Sequence, residues 1–422
     1  MGKLKREISL WEATLTGVGI ILGAGIYVLI GRAAGIAGNA VWLSFAIAAL
    51  IAAFTGLSYA ELSSLIPKAG AEYEYVKHAF GKRLAFILGW LLIIAGIVSA
   101  STVALGFAGY FGKLFNIPLL PSAVALILLL SIPLFYGVKE SVRLGVAMTL
   151  IEAFGLFFII SIGVPNFGSV NYLDMPNMFA IFQASALIFF AYIGFGQIVR
   201  LAEETKDARS VIPHAVILSV VITTIIYILV ALSAVSIIDW HALSASPSPL
   251  ADVAAKVLGN NAFVLLSFIA LFSTTNTVLF IMLSTSRLIY GMAEKTGSIF
   301  AYVHPKRKTP WVAIACVTVL ALAFLFVGGI EKIAGITNFM FFINYILINL
   351  TVIKLRYSMA NEHREFKIPV NIGKFPLLAF LGMLTSFIMI ASLNAEIVAW
   401  GIALVGIGFV VHEILVRKGF EV

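Results

Sequence analysis

Apolar runs of about twenty residues, cut by short charged clusters, recur along this chain and constrain its architecture more than any motif does. A helix rises about 1.5 Å per residue, so roughly 20 residues cross a hydrocarbon core of about 30 Å. Only 11% of the 422 residues are charged and 61% are hydrophobic, whereas a soluble domain carries about a quarter charged residues. The sequence therefore reads as an all-α polytopic membrane protein.

Twelve transmembrane helices are expected, at 9–35, 41–66, 84–112, 121–138, 142–164, 178–203, 211–236, 261–292, 310–328, 333–357, 376–393 and 396–416. The segment "DWHALSASPSPLADVAAKVLGN" between spans 7 and 8 is too polar to cross and reads as an outer loop with a short surface helix. The N-terminal "MGKLKREISLWEA" is basic, but no small-residue cleavage site follows an h-region of normal length, so it reads as a lead into span 1. Placing the N-terminus and every second loop inside gathers 24 of the 28 Lys and Arg residues on that face. Arg32, Lys113, Lys256 and Lys332 alone remain outside. Positive charge accumulates on the cytoplasmic side, so both termini are expected there, in the cytoplasmic membrane.

The formal net charge of +8 does not imply nucleic acid, because the cations sit in alternate short loops rather than in one patch. The single cysteine, Cys316, forms no intramolecular disulfide. The six histidines fall in loops or near span ends, with no HExxH motif and no paired aspartates, which argues against an embedded hydrolase. Nothing repeats as a channel filter would. No cofactor and no protein partner are expected beyond the lipid bilayer.

Two spans carry glycines where glycine is costly. Span 1 reads "VGIILGAGIYVLIGRAAG" and span 6 reads "FFAYIGFGQIV"; glycine inside a helix costs about 1 kcal/mol relative to alanine. The spacings Gly19-x-x-x-Gly23 and Gly31-x-x-x-Gly35 suit close helix packing. The second pair, Gly194 and Gly196, lies mid-span five spans later and points to paired breaks in an inverted repeat. An unwound segment exposes N–H and C=O groups that lipid cannot satisfy, but a zwitterion can. The second half of span 1, starting near Gly25, would direct N–H groups at a carboxylate. The first half, ending near Ile21, and span 6 near Ala191 and Ile193 would offer carbonyls to an ammonium group.

These segments resemble the amino acid–polyamine–organocation (APC) transporters. "LWEATLTGVGIILGAGIY" is similar to the family's span 1, and "GLSYAELSSLIPKAGAEYEYVKHAFG" to its long span 2 and the loop after it. "FFAYIGFGQIVRLAEETKDARSVIPHAV" resembles span 6 and the loop beyond, and "STSRLIYGMAEKTG" with "HPKRKTPWVA" the end of span 8. The resemblance implies a LeuT-like fold of five plus five inverted helices and two further spans, with spans 1 and 6 broken mid-membrane. One transport domain, 1–422, would then hold repeats at 1–165 and 175–358 and added spans at 374–418. It further implies secondary transport of amino acids by alternating access. Gly23, Ala24, Gly25 and Ile26 would meet the carboxylate. Carbonyls at Ile21 and Ile193 would meet the amine, with Phe190 and Tyr192 covering the ligand; Ala191 and Gly194 are counted with the same substrate site.

Two positions depart from the family pattern. Gly196 stands where many members carry an acid. Glu152, counted from Arg143, stands where proton-coupled and exchanging relatives often carry a lysine, in the place a sodium ion takes in other members. Its implied neighbours are Gly19 and Ser273, with Thr274 adjoining. Glu152 lies nine residues past Arg143, roughly 13 Å along a helix, near the bilayer midplane. A carboxylate there costs at least about 2.5–3.5 kcal/mol to insert, which makes it a functional candidate. It can exchange a coupling proton, ligate Na⁺ beside Ser273 and Thr274, or act as a neutral hydrogen-bonding group; H⁺ is the preferred coupling ion. Obligate exchange is a further alternative. The pocket positions Ala24, Phe190, Tyr192 and Ile193 are without fixed charge, so neutral amino acids are the expected substrates.

Overall fold

The computed structural model describes residues 9–67, 71–136, 139–294, 299–305, 307, 309–326 and 330–417. Their order is α1 (Leu10–Ala37), α2 (Val41–Leu65), α3 (Ala71–Phe80), α4 (Lys82–Phe115), α5 (Leu119–Tyr136), α6 (Lys139–Gly163) and α7 (Met178–Ile188). Two 3₁₀ segments, Phe189–Tyr192 and Phe195–Glu204, continue α7. Then follow α8 (Ala208–Ile237), α9 (Trp240–Ala245), α10 (Pro249–Leu258), α11 (Asn260–Glu294), α12 (Trp311–Phe324) and α13 (Ile330–Ser358). A minimal hairpin, β1 (Asn371–Ile372) with β2 (Phe375–Pro376), precedes α14 (Leu377–Ala391) and α15 (Ala395–Arg417).

Eight segments among the described residues are long and apolar enough to cross a membrane, the first of them, Leu10–Leu65, holding both α1 and α2. Leu119–Phe135, Trp311–Phe324 and Leu377–Ala391 are shorter apolar helices. The chain is therefore an all-α, multi-pass membrane protein. Helix α1 starts on a capping box: Glu12 Oε2 accepts from the Ser9 backbone N–H at 2.7 Å while Ser9 Oγ accepts from the Glu12 N–H.

The buried side chains form two hydrophobic bodies. One joins α1, α2 and α8 through residues such as Ile21, Phe45, Tyr59 and Tyr227. The other joins α4, α11, α12 and α13 through Leu91, Val98, Met282, Val317 and Met340. Their seam runs through α1 and the end of α7. Ile21 and Leu22 belong to the first body and Ala24 to the second; Phe189 and Ala191 belong to the first and Phe190 to the second. Both glycine-bearing segments thus lie on the boundary between the two bodies.

The connection between α8 and α11 differs from its sequence reading. It forms two helices, α9 and α10, and their residues Leu243, Leu250, Ala251, Val253 and Ala254 are fully buried. The reason lies in α1. A Cβ on Gly31 would stand 2.4 Å from the Leu243 carbonyl oxygen, and one on Gly35 would overlap Ser244 Oγ. This small-residue face lets α9 and α10 sink into the bundle.

Candidate functional site

Helix α1 is interrupted at Gly23, whose φ of −9° and ψ of −169° lie far from helical values of about −63° and −42°. The next N–H, on Ala24, has lost its helical acceptor and donates to Thr277 Oγ1 of α11 at 3.1 Å. Thr277 is held in place by donating to the Ser273 carbonyl at 2.9 Å.

The second interruption follows α7. Ile193 is extended (φ −61°, ψ 125°), and Gly194 adopts φ 138°, a conformation open in practice to glycine alone. Here the chain breaks at Ile193–Gly194 rather than at Gly196. Gly196 serves a packing purpose, because a Cβ there would stand 3.0 Å from the Tyr59 ring. The carbonyls of Ala186 and Leu187, left over as α7 ends, accept from Asn338 Nδ2 of α13 at 2.6 and 2.9 Å.

The two interruptions press against each other. A Cβ on Gly25 would come 2.5 Å from Ala191 Cα, and one on Gly194 would come 2.9 Å from Ile20 Cγ2. Tyr227 of α8 links them: its hydroxyl is directed at the carbonyl oxygens of Ile21 at 2.7 Å and of Ala191 at 3.0 Å. Two carbonyls singled out for an ammonium group therefore converge on one donor. Ile21, Ala24, Ile26, Ala191 and Tyr192 are all buried. Phe190 and Tyr192 face different bodies, Phe190 packing with the α4 and α11 side and Tyr192 donating its hydroxyl to the Phe45 carbonyl at 3.2 Å.

Glu152 is 1% exposed. Its Oε1 accepts from Ser273 Oγ of α11 at 2.6 Å, while Oε2 has no hydrogen-bond partner among the described residues. The Glu152 backbone carbonyl accepts from the Tyr27 hydroxyl of α1 at 2.8 Å, so α1, α6 and α11 meet here. Gly19 also faces α6, but opposite Thr149, whose Cγ2 lies 2.5 Å from where a Cβ would be. Thr274 is brought no closer to the carboxylate by hydrogen bonding; its hydroxyl donates to the Ala270 carbonyl of its own helix at 2.7 Å. Glu152 and Ser273 are thus the pair brought together.

Sequence reasoning missed Tyr227, Thr277 and Asn338, which satisfy the freed backbone groups. Glu61 was likewise not among the candidates read from the sequence. Glu61 is 1% exposed and receives Nε and Nη2 of Arg356 at 2.5 Å each, with the Ile368 N–H at 2.9 Å. Arg364 Nε lies 3.4 Å from the same carboxylate.

Paired interrupted helices in a membrane bundle suit several kinds of transporter; a family profile decides between them, matching an amino acid permease over residues 8–411. The chain belongs to the amino acid permease family. The permease is 29% identical to the branched-chain amino acid permease BcaP of Bacillus subtilis, over 98% of its own length and 94% of that protein. It is 29% identical to the methylthioribose transporter of Bacillus subtilis, over 87% of its length and 84% of the relative. With the vacuolar cationic amino acid transporter 4 of Arabidopsis thaliana it shares 28% identity over 84% of its length, and it spans 64% of that longer protein. These findings make it an APC-superfamily membrane protein of amino acid transport.

Proposed function

We propose that the permease moves neutral amino acids across the cytoplasmic membrane by alternating access, coupled to protons through Glu152. The observation that carries this reading is the convergence of the Ile21 and Ala191 carbonyls on the Tyr227 hydroxyl. A protonated amine is a stronger donor than a phenol, and charge-assisted hydrogen bonds are roughly twice as strong as neutral ones. The Tyr227 hydroxyl thus stands where an α-ammonium would bind, and Ala24, Gly25 and Ile26 would present their N–H groups to the carboxylate. In this reading the closed, packed site opens as the two hydrophobic bodies part along the seam that both interruptions straddle.

The cargo is argued from the residues, because the names of the relatives differ in cargo. Ala24, Phe190, Tyr192 and Ile193 bring apolar surface and no fixed charge to the seam. A cationic side chain would need an acid there, and the carboxylate of Glu152 is directed at Ser273 instead. Within the same reading, the chain forms twelve spans in two inverted five-helix repeats (1–165 and 175–358) with two added spans (374–418), both termini inside. The two interruptions five spans apart support that arrangement.

Proton coupling is preferred over sodium because the oxygen set around Glu152 is small. Ser273 donates to the carboxylate and the Thr274 hydroxyl is used by its own helix. Reconstituted protein tests the proposal. Neutral amino acids should raise the melting temperature, and an inward proton gradient should drive their accumulation where a sodium gradient does not. Selective stabilisation by arginine or lysine, or accumulation that follows sodium alone, would overturn it.

A further inference from the structure

Away from the interrupted helices, the end of α5 and the start of α12 flank an open cleft of about 800 Å³ with the turn that leads into α12. Its walls combine apolar Ile132, Phe135 and Ala315 with His304, Arg307 and Trp311. Ile132 is 50% and Trp311 38% exposed, so the cleft opens on the periphery of the bundle.

The cleft is built rather than loosely closed. The Phe135 carbonyl accepts from Thr309 Oγ1 at 3.0 Å and from Trp311 Nε1 at 3.3 Å, tying the turn to the end of α5. The Phe135 and Trp311 rings meet edge to face at 5.5 Å, and the His304 ring stacks on Trp311 at 4.1 Å. The Arg307 backbone N–H donates to His304 Nδ1 at 3.2 Å. A neutral His304 therefore carries its proton on Nε2, where it can donate to a ligand.

We propose that this cleft binds one anionic phospholipid, its acyl chain lying on Ile132, Phe135 and Ala315 and its phosphate meeting Arg307 and His304. Apolar walls alone would suit any lipid tail. The cation beside them selects a negative headgroup, and basic pockets between helices on the cytoplasmic side are sites of that kind. In sequence Arg307 stands between Lys306 and Lys308, in a loop assigned to the inside by the charge count. The choice of leaflet rests on that orientation, but lipid retention is read without any transport and so fails or succeeds independently of the proposed cargo.

Native mass spectrometry of the detergent-purified full chain, titrated with phosphatidylglycerol or phosphatidylcholine, tests the site. One phosphatidylglycerol should be retained in preference to phosphatidylcholine, and excess inorganic phosphate should not displace it. Arg307→Ala should weaken retention about fivefold, the factor that one cation near an anionic surface supplies. Ala315→Trp, at an exposed position, should fill the cleft and abolish retention while the melting temperature stays at the wild-type value. Lys256→Ala, on the opposite face by the charge count, should change nothing. Equal retention of the two lipids, displacement by free phosphate, or unaltered retention in both cleft variants would overturn the proposal.

Discussion

The Ser273 hydroxyl donates to Glu152 Oε1 at 2.6 Å, joining α11 to α6 inside the bundle across 121 residues of sequence. One oxygen of the carboxylate is thereby held, and the other has no hydrogen-bond partner among the described residues. In the proposed mechanism Glu152→Gln keeps the shape and the capacity to accept from Ser273 but cannot exchange a proton. Uptake in proteoliposomes should lose its response to an imposed pH gradient, while substrate-induced stabilisation persists. Ser273→Ala should weaken gradient-driven uptake without abolishing it.

Tyr227 offers a separate test, because its ring and its hydroxyl do different things. The ring packs against Phe45 and Tyr192 at 5.6 and 5.3 Å, and Tyr227→Phe retains those contacts. The lost hydroxyl leaves the Ile21 and Ala191 carbonyls without their donor. An unsatisfied buried acceptor costs about 1–3 kcal/mol, so the empty protein should melt at a lower temperature. An amino acid whose ammonium replaces that donor should restore part of the loss, giving a larger ligand-induced shift in the variant than in the wild type. Differential scanning fluorimetry with and without substrate measures both.

Arg356 and Glu61 bind the end of α13 to α2, and the Ile368 N–H ties the following loop to the same carboxylate. Removing one partner of a buried pair leaves an uncompensated charge and costs about 3–5 kcal/mol. Arg356→Met or Glu61→Gln should therefore sharply lower the melting temperature in detergent. Arg83→Met, whose partner Glu413 is half exposed, should cost less than about 1 kcal/mol.

The all-α membrane character and the two interrupted segments were legible because their signals are local: apolar length, and a glycine pair in the middle of each of two runs. The residue at which span 6 breaks was not legible, since Gly194 and Gly196 look alike in sequence and only the positive φ of Gly194 separates them. Glu152 was legible as an intramembrane acid, and Ser273 only through the family pattern. Tyr227, Thr277 and Asn338 gave no signal, because a tyrosine, a threonine or an asparagine in an apolar span reads as ordinary until its register against another helix is known. Glu61 gave no signal for the same reason: its partner Arg356 lies 295 positions away. The burial of α9 and α10 depended on Gly31 and Gly35 of α1, a long-range fit that the polar composition of that segment obscured.

The central claim is that main-chain groups freed at two interrupted helices bind the amino acid, and hydrogen–deuterium exchange with and without a saturating neutral amino acid measures those groups directly. Protection concentrated in the peptides holding Gly23–Ile26 and Phe190–Gly194 is the predicted result. Unchanged exchange in both peptides, with protection appearing elsewhere in the bundle, would contradict it.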